Sequence, residues 1–276
     1  VTLPDSRFGT TVSAIRSDAG RHLILIAAPN QTATVADVPE LAVDRIASGV
    51  VYALEACNYW DINDTTPDSI YEAEISSVAD EVEWARWFAI HAALVNQEGG
   101  IYRDTGDDYF LYFQRAAAPG GYNTKFVPWD MDSTFGGWAA FNQEAIWRCE
   151  VPSPRRFLRS NAFAGLFVGA ICDLQQTTFA QASINAVIDS LPATMLAQYG
   201  GETRRQQIKN WVAARHSWLN TEIKRSLTVT GIPASPYTGT NPVISLSGNL
   251  TQCGTRTVAV NGVPASSYSI YGATWS

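Results

Sequence analysis

The stretch Lys125-Phe126-Val127-Pro128-Trp129-Asp130-Met131-Asp132-Ser133-Thr134-Phe135-Gly136-Gly137 decides how the rest of the chain is read. Phe126-Val127 opens as a short apolar strand, and Pro128 stops it because proline has no N–H to give a ladder. Two carboxylates then follow at a spacing of two. In an extended backbone, side chains at i and i+2 share a face, so Asp130 and Asp132 are expected to converge on one cation. Hard cations such as magnesium take oxygen ligands. A solvated turn after an edge strand is the competing reading of the same residues.

Upstream lies a second strand, Tyr109-Phe110-Leu111-Tyr112-Phe113, and a glycine- and alanine-rich turn from Ala116 to Gly121 joins it to Lys125-Phe126-Val127. Two apolar runs around such a turn read as a hairpin. Asp107 and Asp108 enter its first strand, and Asp130 leaves its second. Antiparallel pairing sets those two ends side by side, so Asp107, Asp108, Asp130 and Asp132 are expected to crowd one rim. Uncompensated carboxylates repel and take up protons, whereas a divalent cation resolves the conflict.

The hairpin is set among helices. Asp80 to Asn96 reads as the strongest, with Asp80 as N-cap, Glu83 completing a capping box, and Trp84, Trp87, Phe88, His91 and Val95 forming a core stripe. Gly99-Gly100 suits its end. Further helices are expected at about 38–54, 69–77, 154–173, 178–191 and 201–227, and a strand at 21–26. The last helix carries Ile208, Trp211, Val212, Arg215, Leu219 and Ile223 at helical spacing. Trp138, Phe141 and Trp147 read as packing over the site rather than lining a groove. Arg155, Arg156 and Arg159 read as a solvated helix face.

After Thr228 the character changes. A proline-bearing linker leads to short alternating strands, among them Val258-Ala259-Val260 followed by the hairpin dipeptide Asn261-Gly262. The fold class is therefore α+β: a mostly helical lobe over 1–230 with a small β-hairpin carrying the metal site, followed over 231–276 by the start of a β-sandwich domain. The chain opens without methionine and ends at Ala273-Thr274-Trp275-Ser276 in an apparent strand, as a fragment of a longer protein would.

Composition excludes several classes. With 276 residues, 46% hydrophobic and 16% charged, the chain is globular rather than disordered. The net charge of −7 argues against a nucleic-acid partner. No apolar run approaches the roughly 20 residues of a membrane span. Cys57, Cys149, Cys172 and Cys253 lack zinc-like spacing; they permit one or two disulfides of undetermined pairing, or buried thiols.

Four runs together suggest a family: Val82-Glu83-Trp84-Ala85-Arg86-Trp87-Phe88-Ala89-Ile90; Asn96-Gln97-Glu98-Gly99-Gly100; Gly106-Asp107-Asp108-Tyr109-Phe110-Leu111-Tyr112; and Pro128-Trp129-Asp130-Met131-Asp132-Ser133-Thr134-Phe135-Gly136. Over about residues 40–230 the chain resembles the CotH kinase family, spore-coat and secreted atypical kinase-like proteins. The resemblance implies transfer of the ATP γ-phosphate to protein serines with Mg2+ or Mn2+, at a secreted or cell-surface location. The 1–230 region is then the C-terminal lobe of a kinase-like domain. By the kinase template, Asp130 binds the metal at the phosphates with Asp132 beside it. Asp108 is the second ligand, with Asp107 adjoining.

Two departures stand out. Five residues before Asp108, where the template has a catalytic base, stands Arg103, which cannot accept a proton; Asp104, one position off, and Glu98 are the candidates for the base. The first lysine of the chain is Lys125, so residues 1–124 hold no lysine to pair with nucleotide phosphates. Either that lobe lies upstream, or the protein is an inactive, surface-binding pseudokinase. A metal-dependent hydrolase ranks third, since no histidine joins the carboxylates at ligand spacing.

Overall fold

A computed structural model describes residues 11–18, 21–27, 67–97, 109–115, 122–129, 131–135, 141–149, 152–198, 200–232 and 244–276. The chain forms two compact units, one built from residues 1–84 and 107–130, the other from 85–106 and 131–276. The mixture of helix and small sheets agrees with the α+β expectation. Among the described residues no helix is long and apolar enough to cross a membrane.

The first unit is a four-stranded antiparallel sheet in the order β1 (Thr11–Asp18), β2 (Arg21–Ala27), β3 (Tyr109–Arg115), β4 (Tyr122–Pro128). The hairpin inferred from sequence is present, seven residues paired on each side from Tyr109↔Pro128 to Arg115↔Tyr122. β1 was not expected. It pairs antiparallel with β2 from Thr11↔Ala27 to Asp18↔Arg21, with an irregularity between Ala14 and Arg16. The helix expected at 38–54 lies outside the described residues. Helix α1 (Asp68–Val78) buries Tyr71 and Ile75, and Ala79 just after it bridges to Thr124 of β4.

Helix α2 (Glu81–Leu94) starts where its cap predicts: the Glu83 N–H donates to Asp80 Oδ1 at 3.0 Å. Instead of reaching back to complete a capping box, the Glu83 carboxylate pairs with Lys125 of β4. Trp84 donates its indole N–H to the Thr124 carbonyl at 2.6 Å and packs edge-on to Phe126. All five residues of the expected stripe are buried. Ala85, Ala89, Ala92 and Ala93 are buried as well, so the apolar face is wider than a stripe.

In the second unit, the helix expected at 154–173 is two: α3 (Pro152–Arg159) and α4 (Asn161–Gln176), separated by extended Ser160. Prolines in the first turn of α3 cost no hydrogen bond there. Then come α5 (Gln181–Asp189), α6 (Ala193–Gln198) and the long α7 (Gly201–Glu222). Phe157 stacks on Phe163 with ring centroids 4.5 Å apart, and Phe88 lies against Phe157. Trp147 packs edge-on against Phe167 and Tyr271. Arg159 of the basic cluster lies over the Tyr271 ring.

Five C-terminal strands of two residues each, β5 (Gly248–Asn249), β6 (Ala259–Val260), β7 (Val263–Pro264), β8 (Tyr268–Ser269) and β9 (Thr274–Trp275), form one sheet in the order β5-β9-β8 and a β6-β7 hairpin. The Asn261-Gly262 turn is there, both residues at positive φ. A β-sandwich is not seen among the described residues. Part of the expected linker is paired instead: Thr230 bridges to Ser247, and the Thr228 N–H donates to the Asn249 carbonyl. The segment is fastened to α4. The Asn161 side chain donates to the Tyr268 carbonyl and accepts from the Ile270 N–H. Gly165 faces the Thr255 carbonyl so closely that a Cβ would sit 2.3 Å from it. Cys172 and Cys253 form a disulfide.

That crosslink closes a sequence separation of 81 residues, long enough to restrict the unfolded chain substantially. Replacing both cysteines with serine should lower unfolding free energy by about 2–5 kcal/mol. Chemical denaturation with and without reductant checks this, the serine variant being indifferent to reductant.

Candidate functional site

The four C-terminal carbonyls of a helix have no partner within it, and those on α2 all find donors outside the helix. The Asn96 N–H reaches back to the His91 carbonyl at 3.0 Å, and the Val95 N–H to Ala92 at 3.4 Å. This is the six-to-one and five-to-two closure usually built on glycine. Here the left-handed position is Val95, at φ 51°, a conformation that costs a non-glycine residue about 1–3 kcal/mol. The helix thus ends at Leu94, short of the Asn96 expected from sequence, and Glu98-Gly99-Gly100 lies outside the described residues.

Arg215 of α7 supplies the next partners. Fully buried, its guanidinium donates Nη2 to the Ala92 carbonyl at 2.7 Å and Nε to Ala93 at 3.4 Å. Nη1 donates to the carbonyls of Asn142 and Glu144. The cation therefore sits at the negative end of the α2 dipole and ties it to the segment around the 3-10 turn Phe141–Gln143. About two turns further along the same face of α7, Glu222 accepts the Ile146 N–H at 2.9 Å. Burial raises the Glu222 pKa, and the Ile146 N–H and Arg215 oppose that rise.

The last carbonyl, Leu94, accepts the Phe135 N–H at 2.8 Å. This bond docks the second half of the decisive stretch onto α2. Met131–Ser133 is a 3-10 turn, Thr134 donates its hydroxyl to the Met131 carbonyl, and Phe135 takes φ 59°. The Phe135 ring meets Trp211 edge-on at 5.4 Å. Asn96 Nδ2 contacts Met131 Sδ at 3.7 Å and donates to His91 Nδ1 at 3.0 Å. Extended alternation therefore does not carry through to Asp132, because a 3-10 turn advances about three residues per turn.

Asp132 is exposed on this turn and makes no ion pair among the described residues. It lines a cleft of about 690 Å³ together with Thr134 and Asn142 on one side and Arg204, Gln207 and Trp211 on the other. In the first unit, Tyr109 pairs with Pro128, so the point where β3 begins faces the point where β4 ends. Trp129, next along the chain, is 58% exposed. Asp104, Asp107, Asp108, Asp130 and Glu98 lie outside the described residues. Among the described residues no group of three or more His, Cys, Asp or Glu could hold a metal. An unpaired carboxylate at Asp132 suits a hard cation chemically.

A family model described as CotH kinase protein matches residues 54–219. The chain belongs to the CotH kinase family. The match takes in both the β3–β4 hairpin and the Arg215 anchor, and lies inside the 40–230 span of the resemblance. No curated protein matches the chain. Sequence reading of this CotH domain overlooked Arg215 as anything but one member of a helical stripe; a charged residue on that buried face was the available signal.

Substituting Arg215 removes the side-chain donor to the Ala93 carbonyl at the end of α2 and to the part-buried carbonyls of Asn142 and Glu144. Arg215→Met should destabilise the protein by about 3–5 kcal/mol. Arg215→Lys should rescue little, because an ammonium lacks the planar fork that reaches four carbonyls. Denaturant unfolding of both variants measures this.

His91 is fully buried, its Nε2 without a hydrogen-bond partner among the described residues, and burial pushes its pKa from 6.5 down to about 4. Above pH 6.5 the ring is neutral both folded and unfolded. As pH falls toward 4 only the unfolded chain takes the proton, so stability should drop by up to about 3 kcal/mol across that window. His91→Gln should remove that part of the slope in unfolding curves taken from pH 7 to 4.

Proposed function

We propose that this chain transfers the γ-phosphoryl group of ATP to serine hydroxyls of a protein substrate, with Mg2+ or Mn2+ as the metal. Within the CotH kinase family match, the observation that carries the reading is the hairpin register, Tyr109↔Pro128. The strand that Asp108 leads into begins opposite the end of the strand that leads to Asp130. Asp130 and Asp108 are assigned to hold the metal, with Asp107 and Asp132 beside them. A cation held there would supply positive charge to neutralise the charge developing on the transferring phosphoryl group. Asp104 or Glu98 takes the proton from the serine Oγ as that oxygen bonds to phosphorus, and ADP departs with the electron pair of the broken bond. The Cys172–Cys253 disulfide supports a secreted or cell-surface setting, where such bonds persist.

A second reading is a pseudokinase of the same fold that binds surface partners without transferring phosphate. It is favoured by the engagement of Lys125 with Glu83.

Saturating Mg2+–ATP or Mn2+–ATP should raise the melting temperature by about 5–10 °C, and Asp130→Ala should abolish both that shift and serine phosphorylation. A metal-dependent shift without phosphate transfer selects the pseudokinase. If nothing shifts and Asp130→Ala leaves transfer intact, the proposal fails.

A further inference from the structure

The first turns of α7 carry three basic residues, and they are not equivalent. Arg205 pairs with Glu202 and Lys209 with Asp189. Arg204 lines the cleft beside the Met131–Phe135 turn, is exposed, and has no carboxylate partner among the described residues. Its contact there is the Gln207 side-chain oxygen, at the long distance of 3.5 Å. In a chain of net charge −7, a cation left unneutralised at the mouth of a cavity attracts anions.

The cavity has the size of a ligand site, about 690 Å³, within the usual range of roughly 300–1,000 Å³. The edge-to-face pair Phe135 and Trp211 offers it an apolar wall. Asn142 and Gln207 each present an amide, which can donate to and accept from a peptide backbone. Asp132 lines the cleft as well, three residues before Phe135 on the same turn. A ligand with negative charge throughout would meet that carboxylate unfavourably. One with a single acidic group on a neutral, hydrogen-bonding chain matches both ends.

We infer that this cleft binds the acceptor polypeptide and selects segments with an acidic side chain near the serine, the acidic group facing Arg204 and the serine end facing Asp132. That the bound segment is an acceptor carrying serine rests on the phosphoryl-transfer reading above; the preference for an acidic side chain at Arg204 does not.

Fluorescence anisotropy with labelled serine-centred peptides, acidic, neutral or basic at the flanking positions, tests the assignment on the full chain. The acidic peptide should bind about fivefold tighter than the neutral one, and the preference should shrink with added salt. Arg204→Glu should reverse the order toward the basic peptide while leaving the melting temperature unchanged, since the side chain is exposed. Equal binding of all three peptides, no binding of any, or a preference that survives Arg204→Glu would overturn the inference. Should acidic peptides bind through Arg204 yet never become phosphorylated, the transfer reading falls and the binding site stands.

Discussion

The buried guanidinium of Arg215 is the interaction on which the second unit depends. A helix that ends inside a protein leaves carbonyls that must be paired or pay a desolvation penalty. α2 ends in such a place. Arg215 answers for Ala92 and Ala93, and with the same side chain fixes the carbonyls of Asn142 and Glu144. One residue thereby joins three stretches far apart in sequence. Glu222, on the same helix, holds the next part of the 141–149 segment through Ile146. Two charges of α7 thus shape an irregular segment that has little regular structure of its own.

That anchorage makes the strain beside it tolerable. Val95 and Phe135 both sit at positive φ, which neither side chain favours, and the Phe135 N–H to Leu94 carbonyl bond links the two turns directly. Such outliers persist where surrounding structure over-determines them, and they gather at functional sites. Here they fix the turn that carries Asp132 against α2 and Trp211. That turn forms one wall of the cleft.

What was legible in the sequence was local. The β3–β4 hairpin, the Asp80 cap, the buried face of α2 and the Asn261-Gly262 turn all follow from periodicity, capping and turn chemistry, which act over a few residues. The break at Ser160 was not visible, because apolar residues continue in helical register across it. Nor was the early end of α2, since a valine in a left-handed turn contradicts every local preference. Arg215 could be placed on a buried face but not given a role, because its partners are backbone carbonyls more than 70 residues away. Nor was the 3-10 turn at Met131–Ser133 visible, two residues before the Phe135 N–H reaches the Leu94 carbonyl. Of the acidic set, only Asp132 lies among the described residues.

The chemistry proposed for this CotH kinase domain places a divalent cation at the end of the β3–β4 hairpin. A crystal structure grown with Mn2+ and a non-hydrolysable ATP analogue, with anomalous data at the manganese edge, tests that most directly. The account predicts an anomalous peak about 2.0–2.3 Å from carboxylate oxygens of Asp130 and Asp108, bridging to the nucleotide phosphates. Nucleotide bound with the peak elsewhere, or no peak near Asp130, would contradict it.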